Sequence, residues 1–285
     1  MILVCDSGSS KADWILAISS SEQLNFRTSG INPFFWSEKE ISKTLSHNTD
    51  IKPYLDQVTE VYFFGAGCSS PDRREIVSNG LSNVFKNAFI SVENDLVGSV
   101  YATCGNKAGL SCILGTGSNI SFYDGSEIHA GKHGLGYILG DEGSGTYFGK
   151  KLITSYLYGT MPLDLSRDFY HKYELTKETV IHRVYQQEAP NFFLASFAKF
   201  LSDHMEHPYV TALLKEGFEE FVRTNIVSFP DYRKYPCHFV GSIAYHFQHI
   251  LRDVCSSFGV QVGKVLKHPI EDLFSFIQNR EDQTA

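Results

Sequence analysis

The chain has 285 residues, 42% of them hydrophobic and 20% charged, which rules out a disordered or collagenous polypeptide and suggests about two domains. Lys and Arg number 25 against 32 Asp and Glu, a formal charge of −7, so the surface on average repels nucleic acid and anionic membrane but still allows a local basic pocket for a small anion. No apolar run approaches the roughly 18 residues of a membrane helix. The opening run from Met1 meets Asp6 at once, unlike a secretory signal, and a cytoplasmic two-domain protein is expected.

Met1 to Cys5 predicts a strand ended by the small polar turn Asp6-Ser7-Gly8-Ser9-Ser10-Lys11. Ala12 to Ile18 resumes as a strand, making a hairpin, and Gln23 to Thr28 pairs as a third. Residues 37–57 read as mostly helical. Val61-Tyr62-Phe63-Phe64 is a buried type of strand closed by Gly65-Ala66-Gly67, and a helix is expected over Pro71 to Lys86, with Pro in its first turn. Phe89 to Val92 is another strand, ended by Glu93-Asn94-Asp95, with a helix over Leu96 to Cys104. Strands alternating with helices give an α/β layer architecture.

Near residue 108 the pattern restarts. Gly109 to Leu114 is a strand, Gly115-Thr116-Gly117-Ser118 a turn and Asn119 to Tyr123 a second strand, which repeats the opening design about 110 residues further on. The organisation is duplicated with little sequence identity, and the expected domains are 1–107 and 108–285. Residues 143 to about 227 read as largely helical. Cys237 to Val240 is a late strand, Gly241-Ser242 opens a helix, Val260 to Leu266 is a strand and Pro269 to Gln278 a final helix.

The six cysteines, Cys5, Cys68, Cys104, Cys112, Cys237 and Cys255, form no C-x-x-C pair and read as buried structural thiols. The pairs His129/His133, His204/His207 and His246/His249 have metal-like spacing but no third ligand, so they read as solvated or core histidines. Tyr245, Phe247 and the aromatics between Phe192 and Phe200 read as helix packing.

A turn of small residues between two strands exposes backbone N–H groups and lets a phosphate approach without a Cβ in the way. Asp6 points a carboxylate at the same place, which suits a phosphate only with a divalent cation between them; magnesium binds through a carboxylate, waters and phosphate oxygens. Both turns are also compatible with ordinary hairpins, since Asp, Ser and Gly are the usual turn residues. Their matching places in two duplicated halves favour two phosphate loops. Ser144 to Lys151 falls short of a Walker A loop, lacking its first Gly and its Ser/Thr, and no G-x-G-x-x-G follows a strand.

Asp6-Ser7-Gly8-Ser9-Ser10-Lys11, Leu114-Gly115-Thr116-Gly117-Ser118-Asn119 and Leu139-Gly140-Asp141-Glu142-Gly143-Ser144-Gly145 resemble the sugar-kinase branch of the sugar kinase, heat-shock chaperone and actin superfamily. The nearest group is the N-acetylglucosamine kinase and BadF/BadG-type ATPase family, and the L-G-D-E-G-S-G run after His133-Gly134-Leu135-Gly136-Tyr137 is the most specific element. The resemblance implies two ribonuclease H-like, actin-like ATPase domains around an interdomain cleft that takes ATP and a sugar. It implies Asp6 as the magnesium-side carboxylate, Gly8, Ser9, Ser10 and Lys11 as the first phosphate loop, and Thr116, Gly117 and Ser118 as the second. Gly241, Ser242 and Ala244 resemble the adenosine motif. The family pattern D-G-G-G-T is altered here, with Ser7, Ser9 and Ser10 in place of Gly, Gly and Thr; serine still donates through its N–H and hydroxyl.

Phosphoryl transfer to an alcohol needs a group that takes the hydroxyl proton and aligns the oxygen. Asp95, a carboxylate at a strand–helix junction, fits by position and by resemblance, although it would also serve as a helix N-cap. The resemblance implies sugar contacts from Asn32, Gly65, Gly67, Asp95 and Asp141. Asn32 before Pro33 is also a turn former, Glu142 fits a first-turn dipole partner, and Gly65 and Gly67 also suit a strand end. The expected function is Mg-ATP-dependent phosphorylation of an amino sugar, N-acetylglucosamine at its 6-hydroxyl. Glucosamine is an alternative substrate. An ATPase activator of a radical dehydratase would want paired cysteines and a C-G-G loop, and a non-catalytic sugar sensor would want a DNA-binding domain that has no room before Asp6. Homodimers are common in the resembling family.

Overall fold

Apolar residues such as Leu3, Val4, Cys5, Trp14, Ile15 and Leu16 follow one another without a polar alternate, and such runs form strands covered on both faces. The computed structural model describes the chain except Ser9, Ser20, residues 131–133 and 283–285, and the side chains at 130, 281 and 282. It divides into two compact units, residues 1–106 with 268–285, and residues 107–267.

In the first unit β1 (Ile2–Ser7), β2 (Lys11–Ala17) and β3 (Gln23–Ser29) form an antiparallel meander. α1 (Glu38–Ser46) starts at a capping box in which Ser37 and Glu40 satisfy each other's backbone N–H groups. β4 (Glu60–Gly65), α2 (Pro71–Ser82), β5 (Phe89–Asn94) and α3 (Asp95–Thr103) come next. β1, β4 and β5 run parallel in a five-stranded sheet of order β3-β2-β1-β4-β5. Leu3, Trp14, Leu16 and Phe63 belong to a core with Ile41 and Leu45 of α1 and Val77 and Leu81 of α2. Residues 37–57 are helical only as far as Ser46; beyond it Pro53 restricts the chain to a short 3-10 turn, Lys52–Tyr54. α2 also stops four residues short of the expected Lys86, because Val84 and Phe85 turn into the core.

The second unit opens with β6 (Gly109–Leu114), β7 (Ser118–Tyr123) and β8 (Ile128–Ala130), again antiparallel. A long helical passage succeeds them: α4 (Gly136–Leu139), α5 (Gly145–Leu157), α6 (Leu163–Tyr173), α7 (Lys177–Tyr185), α8 (Pro190–Ser196), α9 (Ala198–Asp203) and α10 (Pro208–Phe221). β9 (Pro236–Val240), α11 (Ser242–His246), α12 (Gln248–Ser257) and β10 (Gln261–Leu266) complete it. Its sheet order, β8-β7-β6-β9-β10 with β6, β9 and β10 parallel, is the same design as the first sheet. Each unit therefore has a three-strand meander followed by two parallel strands, and the duplication expected from the two glycine turns is present in full. Phe148, Phe169, Phe197, Phe200 and Phe218 are buried among the helices, with Phe169 and Phe200 edge to face at 5.0 Å. All six cysteines are buried. No helix among the described residues is long and apolar enough to cross a membrane.

The last helix, α13 (Ile270–Asp282), belongs to the first unit, whereas the sequence placed it in a continuous second domain, 108–285. The reason is packing. α13 lies against α3, β1 and β2, burying Leu273, Phe274 and Ile277, and Phe276 stacks on Tyr101 of α3 at 4.6 Å. α3 itself comes close to β4, where a Cβ on Gly98 would lie 2.8 Å from the Phe64 Cβ.

Candidate active site

The parallel strands of the first unit end at one level. Ser7 pairs across to Gly65, and Gly65 to Asn94, so the residues just beyond them share the carboxyl edge of the sheet. Ser7, fully buried, ties a fourth segment there: its Oγ accepts from the Ile31 N–H at 2.9 Å and donates to the Ile31 carbonyl at 3.1 Å. That brings Asn32 to the edge, where its Oδ1 accepts from the Phe34 N–H at 3.0 Å. Gly67 has a left-handed backbone, φ +86°, and a Cβ there would run into the Asn32 side chain and lie 3.2 Å from Phe34. Phe34 and Phe35 are exposed by 61% and 53%, and the Arg73 guanidinium lies 4.3 Å over the Phe34 ring. Gly8, Ser10 and Lys11 form the hairpin turn of the same edge, while Ser9 lies outside the described residues.

Two carboxylates meet at this edge. Burial, then the nearby Asp95, then Asp13, push the Asp6 carboxyl up to about 7, with Lys11 pulling the other way. Burial pushes Asp95 up to about 6 against the Leu96 and Asp95 N–H groups, which favour the charged form. The N-cap of α3 is Asn94, whose side chain accepts from the Leu96 N–H at 2.9 Å, so Asp95 stands as the first helical residue and not as the cap. Sequence reasoning missed Asp13. It is buried, pairs with Asp6 across the hairpin, and is held by the Arg27 guanidinium, with His268 Nδ1 3.5 Å away. Mirrored places of two aspartates in a hairpin were the signal that could have found it.

In the second unit the turn after β6 is one residue shorter, closing Leu114 onto Ser118. The Asp141 carboxylate packs on it. Asp141 Oδ1 accepts from the Ser118 N–H at 3.1 Å, and a Cβ on Gly117 would lie 2.9 Å from Asp141 Oδ2, so a side chain there would displace the carboxylate from the turn. Asp141 itself has φ +60°, a left-handed backbone unusual for a side-chain-bearing residue. Its carboxyl is raised by burial and partly restrained by Ser118 and Lys150. Asp141 thus lies with the second turn, while Asn32, Gly65, Gly67 and Asp95, which the resemblance groups with it, lie on the first unit. Glu142 precedes the α5 cap, Ser144, and accepts from Asn225 at 3.3 Å. The first N–H groups of α5 donate to the turn, Gly145 to the Gly115 carbonyl at 2.8 Å and Thr146 to that of Thr116 at 3.0 Å.

Gly241 lies directly behind this turn. With φ +122° it approaches so closely that a Cβ would be 2.7 Å from the Leu114 carbonyl carbon and 3.0 Å from the Gly115 N. Beside it a cavity of about 380 Å³ is lined by Gly115, Thr116 and Ser242, and also by Ala195, Lys199, Asp203 and Ile243 among others. Ala244 is fully buried in the core and does not line it. The α8–α9 wall was invisible to motif reading, because its small and charged residues alternate with the core aromatics Phe197 and Phe200. The histidine pairs yield no metal cluster among the described residues: His129 bonds Asp124 at 2.8 Å, His204 and His207 pair with Asp168 and Asp164, and His133 lies outside the described residues.

No protein-family model and no curated protein sequence matches the chain. Among solved structures it is similar to a candidate N-acetylglucosamine kinase from Porphyromonas gingivalis, with 39% identity and a TM-score of 0.92 over 99% of this chain and 100% of that one. A candidate N-acetylglucosamine kinase from Chromobacterium violaceum shares 16% identity at a TM-score of 0.69, over 97% and 98% of the two chains. A ROK family glucokinase from Streptomyces griseus, in complex with glucose and AMPPNP, shares 10% at 0.55, over 95% and 97%. The last two speak for the fold alone. With 39% identity over the whole length of the first, on top of the duplicated sheets and glycine turns, the chain belongs to the N-acetylglucosamine kinase family.

Proposed function

We propose that the chain transfers the terminal phosphoryl group of ATP to the 6-hydroxyl of N-acetylglucosamine. The observation that carries this reading is Asp95, a carboxylate at a strand end, relieved of capping by Asn94 and raised by burial to about 6. A general base works best with a pKa near the working pH, and this one is ionised but still basic at neutral pH. Asp95 accepts the hydroxyl proton as the acceptor oxygen bonds to the terminal phosphorus. The bond from phosphorus to the bridging oxygen breaks with its electron pair going to ADP.

The nucleotide phosphates are assigned to the backbone of Gly8 to Lys11 and of Thr116 to Ser118, and the adenosine to the cavity beside Gly241 and Ser242. Asp141 contributes by fixing the second turn. Asp6 suits a magnesium ion: a carboxylate raised to about 7 by burial and a like charge is one that a divalent cation would relieve. Bound there, magnesium would supply neutralisation of phosphate charge. The sugar falls to Asn32, Gly65, Gly67 and Asp95. An acetamido group wants an apolar wall and an amide partner, and Phe34 beside Asn32 offers both, which favours the N-acetyl sugar over glucosamine.

A coupled ADP-release assay over a panel of hexoses and hexosamines tests the reading. Release stimulated most by N-acetylglucosamine, with a 6-phosphate product, is expected. A panel in which no sugar stimulates release overturns it.

A further inference from the structure

The carboxyl edge of the first unit carries a cation that the glycine turns and Asp95 leave without a role. Arg73 is the third residue of α2, and its guanidinium carbon lies 4.3 Å over the ring of Phe34. Phe34 belongs to the turn held by Asn32, and Gly67 packs on both residues, since a Cβ there would strike the Asn32 side chain and lie 3.2 Å from Phe34. Arg73 and Asp95 are also both close enough to the buried Cys68 to move its thiol. Burial and then Asp95 push that thiol up to about 12, while Arg73 and Arg74 draw it down. The guanidinium therefore shares an edge with the base and stands on its Phe34 side.

The bonding of Arg73 is incomplete. Arg74, next along the helix, is tied to Glu93 at 3.5 Å, but Arg73 has no carboxylate partner among the described residues. Its Nη2 donates to Ser69 Oγ at 2.6 Å, and its Nε is buried with nothing to donate to. Nη1 makes no hydrogen bond among the described residues and is not buried, which leaves it as the donor open to a ligand. A planar group with five donors and no acceptor is thus held by one ring and one hydroxyl. Such a group takes a carbonyl or carboxylate oxygen and has nothing to offer an ammonium.

In a hexopyranose ring C2 and C5 lie opposite each other, so a sugar with its 6-hydroxyl at Asp95 presents its 2-substituent on the far side of the ring. Resting on the kinase reading above, we propose that Arg73 selects the N-acetyl sugar by donating a hydrogen bond to the acetamido carbonyl, with the acetamido methyl against the exposed Phe34 ring. Glucosamine at neutral pH puts an ammonium in the same place, and the guanidinium repels it. Glucose puts a hydroxyl there, a weaker acceptor with no methyl for the ring.

Steady-state kinetics of the full chain with N-acetylglucosamine, glucosamine and glucose test this, read as ratios of kcat/KM. Arg73→Met keeps an apolar stem on Phe34 but loses the donors. It should cut the preference for N-acetylglucosamine over glucosamine about 10- to 100-fold, the worth of one hydrogen bond to a charged group. The loss should fall on KM and not on kcat, because the 2-substituent is remote from the reacting oxygen. Arg74→Met, one residue along and tied to Glu93 instead, should keep the original ratio. Should Arg73→Met fail to fold, Arg73→Gln, whose amide can also accept from an ammonium, should lower the preference in the same direction. The proposal falls if the Arg73 variant weakens all three sugars alike, if Arg74→Met lowers the preference as much, or if the loss is in kcat alone. No sugar-stimulated ADP release from the unaltered chain would overturn the kinase reading as well, whereas release stimulated by N-acetylglucosamine with an unmoved ratio would overturn the role of Arg73 alone.

Discussion

In the first unit β1 closes on Asp6-Ser7 and β5 runs into Asp95; in the second β6 closes on Leu114 and β10 on Leu266, and glycines and hydroxyls take the turn. The sheets are the same, strand for strand. What differs is the chemistry placed on the same edge. Asp6 and Asp95, both raised by burial, suit the handling of a proton and a cation, while on the second edge one such carboxylate, Asp141, packs on the glycine turn beside a cavity that suits a flat base. On the proposed reading side chains give two copies of one scaffold different work, since the edge of a parallel sheet is general enough to take either chemistry.

The sharpest way to break this division is Asp95→Asn. Turnover should fall at least about a hundredfold, the scale of losing a general base, with ADP affinity by calorimetry unchanged. A matching loss of nucleotide binding would mean that the two edges are not separate in role. A smaller and graded effect is expected from pH. The Asp95 carboxyl is raised to about 6, so it holds its proton below that pH and cannot accept another; kcat should fall about tenfold per unit as the pH drops below this point. A flat pH–rate profile down to pH 5 would remove Asp95 from the chemistry.

The smallest effect concerns stability. The Asp6 carboxyl of the folded chain keeps its proton up to about 7, whereas an unfolded chain releases it near 4. Stability is then lost as pH rises between those values, and the ionised folded state bears the full cost above them. In metal-free buffer at pH 8, Asp6→Asn should raise Tm by roughly 2–4 °C, less than full burial would give because the residue is half-buried, and the gain should shrink at pH 5. A variant that melts lower at pH 8 would show that Asp6 has a structural role outweighing its charge.

Much of this was legible from local signals. Apolar runs located nine of the ten strands among the described residues, and β8 escaped because three residues, Ile128–Ala130, carry no usable period. The glycine turns exposed the duplication, since a tight turn is determined by its own few residues. The parts that failed depend on distant ones. α13 has an amphipathic face but nothing in its sequence names the surface that takes it, and only Tyr101 and the strands of the first unit decide that. The cap of α3 passed from Asp95 to Asn94 on a one-residue shift of helix start, finer than propensity resolves. Asp141 was recognisable as a special residue, yet its place on the second turn depends on a left-handed backbone that no spacing predicts. Asp203 lay in a stretch dominated by aromatics whose packing signal masked the polar face beside them.

The return of α13 to the first unit has a consequence for the order in which the chain matures. During synthesis residues 107–267 emerge as one uninterrupted stretch, while the first unit must wait for residues 268–285 before Leu273, Phe274 and Ile277 can cover β1, β2 and α3. The first unit is therefore completed only after the second has been made, and until α13 arrives the apolar back of its sheet is open to chaperones and to aggregation.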